Sequence, residues 1–224
     1  MISGVIFDAF GTVVRIGKRT NPYRELIRQG LRQGMSFDPA ALHIAMTTNL
    51  SFLELASHLG IFLSPSKRDE LIQALDVELS SITPFADALG AIQHLKEAGL
   101  KVGFCSNVAS PYVPIVREIF PDIDGYAFSC ELGVMKPNPA IYQAVCNQMK
   151  VEPGSYFGNG AGRVLMIGDS GRCDRDGPRL VGIMGFHLDR AGCGPVDNLL
   201  QFVELVLDQN RDPRVPSFHS MPPD

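Results

Sequence analysis

Gly4-Val5-Ile6-Phe7-Asp8-Ala9-Phe10-Gly11-Thr12-Val13-Val14 is the stretch on which the reading of this chain turns. Val5, Ile6 and Phe7 make a short apolar run of the kind that forms a strand buried on both faces. An aspartate follows at once. Open α/β sheets bind their ligands at the carboxyl ends of central parallel strands, which is where Asp8 would stand. Gly11 lets the backbone turn sharply there and come close to a ligand.

Three later stretches extend the pattern. Val102-Gly103-Phe104-Cys105-Ser106-Asn107 is a second apolar run, ending in a hydroxyl and an amide. Gly133-Val134-Met135-Lys136-Pro137 carries a lysine before a proline. Val164-Leu165-Met166-Ile167-Gly168-Asp169-Ser170 is a third run ending in an aspartate, with Asp174 five residues on. Further strands fit Ala127-Phe128-Ser129 and residues 182–187. Helical patterns separate them: 87–97, with Leu89, Ile92 and Leu95 inward and Gly99 closing it, then 112–120, 139–149, a helix around 177–180, and 196–207. Strands alternating with helices predict an α/β fold with a doubly wound parallel sheet.

Between the first and second strands the character is helical. Tyr23 to Gly34 reads as one helix, with Asn21 as N-cap and Pro22 in the first turn. Asp38-Pro39 starts a second, along which Leu42, Met46, Leu50 and Leu53 recur. Ser66 and Asp69 form a capping box for a third, with Leu71, Leu75 and Leu79 on one face. Arg24, Arg28 and Arg32 are spaced by four and so share a helical face, with Arg15, Lys18 and Arg19 just before. The functional reading is a clamp for an anionic substrate, with Arg24 and Arg28 as candidates. The plain alternative is a solvated helix face.

At 224 residues the chain can bury a sizeable core, and 45% hydrophobic with 20% charged residues is ordinary for a globular protein. A net charge of −4 provides no global field for nucleic acid. No apolar run is long enough to span a bilayer. The five cysteines, an odd count without a Cys-x-x-Cys pair, fit reduced thiols in the cytoplasm, and the chain opens directly into a strand rather than a signal peptide. Residues 210–224 hold four prolines and little apolar pattern, which predicts a flexible tail.

Asp8, Ser106, Lys136 and the pair Asp169 and Asp174, in this order, resemble the four motifs of the haloacid dehalogenase superfamily of hydrolases. The resemblance runs from Gly4 to about Arg190. It implies a Rossmann-like core, residues 1–14 and 87–224, with a small helical cap domain at 15–86 that closes over the nucleophile and excludes water. It implies Asp8 as the nucleophile of a covalent aspartyl intermediate. Ser106 and Asn107 would donate hydrogen bonds to substrate oxygens, and Lys136 would pair with Asp8 and with developing negative charge. Asp8, Asp169, Asp174 and the backbone carbonyl of Phe10 would supply oxygen ligands for Mg²⁺, the second acid acting through water or holding Lys136. The partner implied is a small anionic substrate, with no nucleic acid and no membrane, the protein being a monomer or homodimer.

One position departs from the superfamily's phosphatases, which carry a second aspartate two residues after the nucleophile. Phe10 stands there, bordering the substrate, and cannot transfer a proton. An aromatic at that place resembles the 2-haloacid dehalogenases, whose halide leaves unprotonated. Those enzymes have a serine where this chain has Asp169 and an asparagine where it has Gly171, and they use no metal. The leading expectation is a Mg²⁺-dependent phosphatase acting on a small phosphorylated metabolite. The alternatives are a metal-free 2-haloacid dehalogenase and a binding or regulatory protein that has lost turnover.

Overall fold

The computed structural model describes residues 1–36, 40–154, 163–192 and 194–211, and of residues 40–42 the backbone only. Asp38-Pro39, the side chain of Leu42, Cys193 and the tail beyond Arg211 therefore lie outside the described residues. In chain order the strands are β1 (Ile2–Phe7), β2 (Val14–Ile16), β3 (Ile82–Pro84), β4 (Lys101–Ser106), β5 (Gly125–Phe128), β6 (Arg163–Gly168) and β7 (Met184–His187). The helices are α1 (Pro22–Arg32), α2 (Ala40–Thr47), α3 (Phe52–His58), α4 (Pro65–Ser80), α5 (Ala88–Glu97), α6 (Val113–Ile119), α7 (Ser129–Leu132), α8 (Pro139–Met149), α9 (Gly177–Arg179) and α10 (Leu199–Arg211).

Five strands form one parallel sheet in the order β5-β4-β1-β6-β7, so the sequence's first strand is its centre. Alternate residues of the three middle strands feed two different cores. Val5, Phe7, Val102, Phe104, Leu165 and Ile167 pack on one face, with α5 and α10. Ile6, Cys105, Val164 and Met166 pack on the other, against Ile141, Tyr142, Val145 and Met149 of α8. Burial on both sides is why these runs read as continuous apolar stretches rather than alternating ones. The register sets Phe7 beside both Phe104 and Ile167, so β1, β4 and β6 end within two residues of one another.

The helical segment between β2 and β3 holds four helices among the described residues, not the three expected. The pattern from Met46 to Leu53 does not continue one helix. Ser51 and Glu54 form a capping box that starts α3 afresh. α4 is capped two residues earlier than expected: Ser64 accepts from the Lys67 N–H and Pro65 occupies the first turn. Asn21 precedes α1, but in the left-handed conformation (φ 55°) and without a side-chain cap. Its backbone N–H is instead held by Glu78. In α5 the inward stripe is Ala88, Ala91, Ile92 and Leu95, which rotates Leu89 to the surface. The segment joins the sheet through a two-stranded antiparallel ladder, β2 with β3, that pairs Arg15 with Thr83. The last helix reaches Arg211, two residues into the stretch expected to be a flexible tail.

Candidate active site

Because β1, β4 and β6 end within two residues of one another, the residues at their carboxyl ends are brought together. Asp8 is the first residue past β1; its N–H donates to the Ile167 carbonyl (3.0 Å) and its side chain is 9% exposed. Asp169 is the first past β6, and Ser106 ends β4, buried. Gly11 has φ 84°, a left-handed conformation that favours glycine, and any side chain there would collide with the Asp169 carboxylate. The loop after β1 is thus folded hard against the loop after β6. Thr12 fastens them: its Oγ1 accepts from the Asp169 N–H at 3.1 Å.

Lys136 enters from the loop before α8. Its ammonium donates to Asp8 Oδ1 and to Asp174 Oδ1, both at 2.7 Å, with only 3% of the side chain exposed. Burial alone would lower its pKa, but the charges on Asp8 and Asp174 outweigh that and hold it above the usual lysine range. Asp174 sits in a wide π-type turn, Gly171–Asp176, fully buried under Gly168, where a side chain would strike its carboxylate. Its second oxygen accepts from the Ser170 N–H at 2.9 Å, so both of its oxygens are engaged within the protein. Burial, then the charge on Asp8, raises its pKa despite Lys136. Asp169 is the exposed member of the group. Partial desolvation of its carboxyl and the neighbouring Asp8 raise its pKa too. Carboxylate oxygens of Asp8, Asp169 and Asp174 all lie within 4.8 Å of one another, three acids against one ammonium.

Asn107 is placed differently from expectation. Its Oδ1 accepts from the Lys136 N–H (2.7 Å) and its Nδ2 donates to the Lys136 carbonyl (3.0 Å). The amide grips the lysine's backbone on both sides, so it positions Lys136 and has one Nδ2–H left for a ligand.

A cavity of about 330 Å³ is lined by Phe10, two residues after Asp8, and by Asn107, which grips Lys136, although Asp8, Lys136, Asp169 and Asp174 do not themselves line it. Its walls are aromatic: Phe10 meets Tyr112 edge-on at 5.7 Å, and Tyr112 lies 6.2 Å from Tyr23. Arg24 lines the cavity, and so does Arg19. Among the described residues neither has an ion-pair partner. Arg28 does not line it; its guanidinium lies 3.4 Å from Glu25 with 58% of the side chain exposed, one step further around the helix. Glu78 was invisible in the sequence, being one acid at the end of a polar helix. Its buried carboxylate accepts from the Thr20 and Asn21 N–H groups, the Thr20 hydroxyl and the Tyr112 hydroxyl, at 2.7 to 3.0 Å. It thereby joins α4 to the residue before α6, across the cavity.

The family model for haloacid dehalogenase-like hydrolases matches residues 2–182 of the chain. No curated protein matches it. Among solved structures it is similar to a HAD phosphatase from Thermococcus onnurineus, at 18% identity and TM-score 0.61, over 92% of this chain and 98% of that one. It is similar also to an L-2-haloacid dehalogenase from Xanthobacter autotrophicus, at 20% identity and TM-score 0.60, over 93% and 99% of the two chains. A 2-haloacid dehalogenase from Pseudomonas syringae gives 16% identity and TM-score 0.63, over 93% and 99%. At these identities the likeness establishes the fold.

Proposed function

The chain belongs to the haloacid dehalogenase-like hydrolases, and on that premise we propose that it hydrolyses a small phosphate ester, with Asp8 as nucleophile and Mg²⁺ as cofactor. The observation that carries this reading is the carboxylate of Asp169 placed beside Asp8, in a cluster with more negative than positive charge. The donor set fits the ion. Hard carboxylate oxygens suit Mg²⁺, which tolerates few protein ligands and keeps several waters. Asp8 and Asp169 would hold it, with the Phe10 carbonyl; Asp174, both of whose oxygens are engaged, would serve by fixing Lys136. When bound, the ion would neutralise charge on the phosphoryl oxygens.

The chain's own residues would do the rest. An Asp8 oxygen attacks phosphorus, the ester P–O bond breaks, and an acyl-phosphate forms on Asp8. Water then splits it, returning phosphate and free Asp8. Lys136 holds the Asp8 carboxylate in place through its hydrogen bond, while Ser106 donates to a phosphoryl oxygen. Arg19 and Arg24 would attract the anion into the cavity, and the apolar part of the substrate would lie against Phe10, Tyr23 and Tyr112. The four helices between β2 and β3 would act as the cap that keeps water out.

Phe10 favours a second reading, metal-free hydrolysis of a short 2-halo acid. There Asp8 attacks carbon, halide leaves with the bonding pair, and water cleaves the resulting ester. A panel of p-nitrophenyl phosphate, an alkyl phosphate and L-2-chloropropionate, each with and without Mg²⁺, separates the two. The phosphatase reading expects Mg²⁺-dependent release of p-nitrophenol and no chloride. Chloride release indifferent to chelator would replace it with the second reading.

A further inference from the structure

Arg190, in the loop after β7, occupies a junction that the chemistry above does not use. Its two terminal nitrogens donate to Asp87 Oδ2 and Oδ1, both at 3.0 Å, as a fork on a carboxylate. One of them also donates to the Thr12 carbonyl at 2.7 Å. The guanidinium lies 3.9 Å from the Phe85 ring centre, and its buried Nε has no partner. Each contact leads elsewhere. Thr12 holds the Asp169 amide through its hydroxyl. Phe85, just past β3, donates its N–H to the Val13 carbonyl (3.0 Å). Asp87 precedes α5 and accepts the Leu199 N–H at 2.8 Å, at the start of α10.

We propose that Arg190 is a positioning residue for the Asp8–Asp169 pair, tying the loop that carries Asp8 to the strand by which the helical segment returns to the sheet. Three acceptor atoms in two directions, with an aromatic face below, match a planar fork and no other side chain. An apolar side chain at this position would fill the space but leave the Asp87 carboxylate and the Thr12 carbonyl without their donor. Because it acts on the Thr12 carbonyl while the Thr12 hydroxyl acts on Asp169, a shift at Arg190 moves the two carboxylates relative to each other. This inference rests on the reading of Asp8 and Asp169 as the reacting pair.

The test is amide hydrogen exchange on the intact protein, for wild type, Arg190→Lys and Arg190→Gln, read residue by residue. The expected result is exchange about tenfold faster at Thr12, Val13, Val14 and Asp169, with less than about twofold change at Val102, Phe104 and Cys105 of β4, greater in the glutamine variant than in the lysine one. Unchanged loop amides in both variants, or equal acceleration throughout the sheet, would overturn the proposal. Kinetics supply the second readout: with p-nitrophenyl phosphate and Mg²⁺, kcat should fall about tenfold in Arg190→Lys while KM stays within about twofold. A raised KM at unchanged kcat would contradict a positioning role. Should wild type hydrolyse nothing in the panel, the phosphatase reading falls and the exchange pattern still decides the role of Arg190.

Discussion

Phe10 is the residue on which the choice of chemistry depends. Its ring lines the cavity, two residues after Asp8 in the chain, and is braced edge-on by Tyr112. No proton can reach a leaving group from it, and a positioned general acid contributes typically ~10²–10⁴-fold. Alkyl phosphates should therefore turn over slowly, and aryl phosphates, which leave without help, much faster. In Phe10→Asp, kcat/KM for the alkyl phosphate should rise at least about tenfold with the aryl phosphate nearly unchanged. Were the protein a dehalogenase, the new carboxylate would repel the substrate's own and chloropropionate turnover would drop; fast alkyl phosphate turnover in wild type would show that another group supplies the proton. Asp8 and Asp169 stand out in the sequence because each ends an apolar run, whereas Lys136 and Asp174 stand out only through their resemblance to the family's motifs; the structure brings the four side chains together. Asn107 was legible as a site residue but not in its task, since the sequence cannot show that both atoms of its amide close on the Lys136 backbone.

At the scale of elements, the sheet strands could be read to within three residues, because burial on both faces leaves an unbroken apolar signature. The helical segment could not be read so well. Its helices carry mixed faces, and the start of α4 shifts because Ser64-Pro65 outcompetes Ser66 as a cap. β2 and β3 are three residues each and were missed, their pairing lying across sixty-odd residues of chain. Glu78, on α4, is the long-range contact that holds this segment's first loop. Burial alone would raise its pKa, but the Tyr112 hydroxyl and the Asn21 and Thr20 donors outweigh that and hold it below the usual value. A folded-state pKa below the unfolded one stabilises above the unfolded value, about 4.3, and is lost as pH falls through the folded value. Glu78→Gln keeps the size but offers one acceptor oxygen in place of two, and should cost about 2 kcal/mol at neutral pH. Thermal melts from pH 7 to 3 should show the wild-type advantage constant above about pH 5 and shrinking below it. An advantage that is independent of pH would mean the carboxylate's charge plays no part.

For the whole molecule, the fold follows from placing the first strand at the centre, so that Asp8 emerges between the ends of β4 and β6. Sequence order alone does not reveal that neighbourhood; the alternation of strands and helices does, because parallel crossovers put successive strand ends on one edge. The same arrangement explains why Arg19 and Glu78, from the helical segment, meet Asn107 and Tyr112, from beyond β4, around one cavity. The central claim is that Asp8 carries the reacting group. The direct measurement is the mass of the Asp8 peptide after acid quenching of enzyme mixed with p-nitrophenyl phosphate and Mg²⁺. The account predicts one phosphoryl group on that peptide in wild type, none without Mg²⁺, and none in Asp8→Asn. An unmodified Asp8 during turnover, or a chloropropionate-derived ester formed on it without metal, would contradict it.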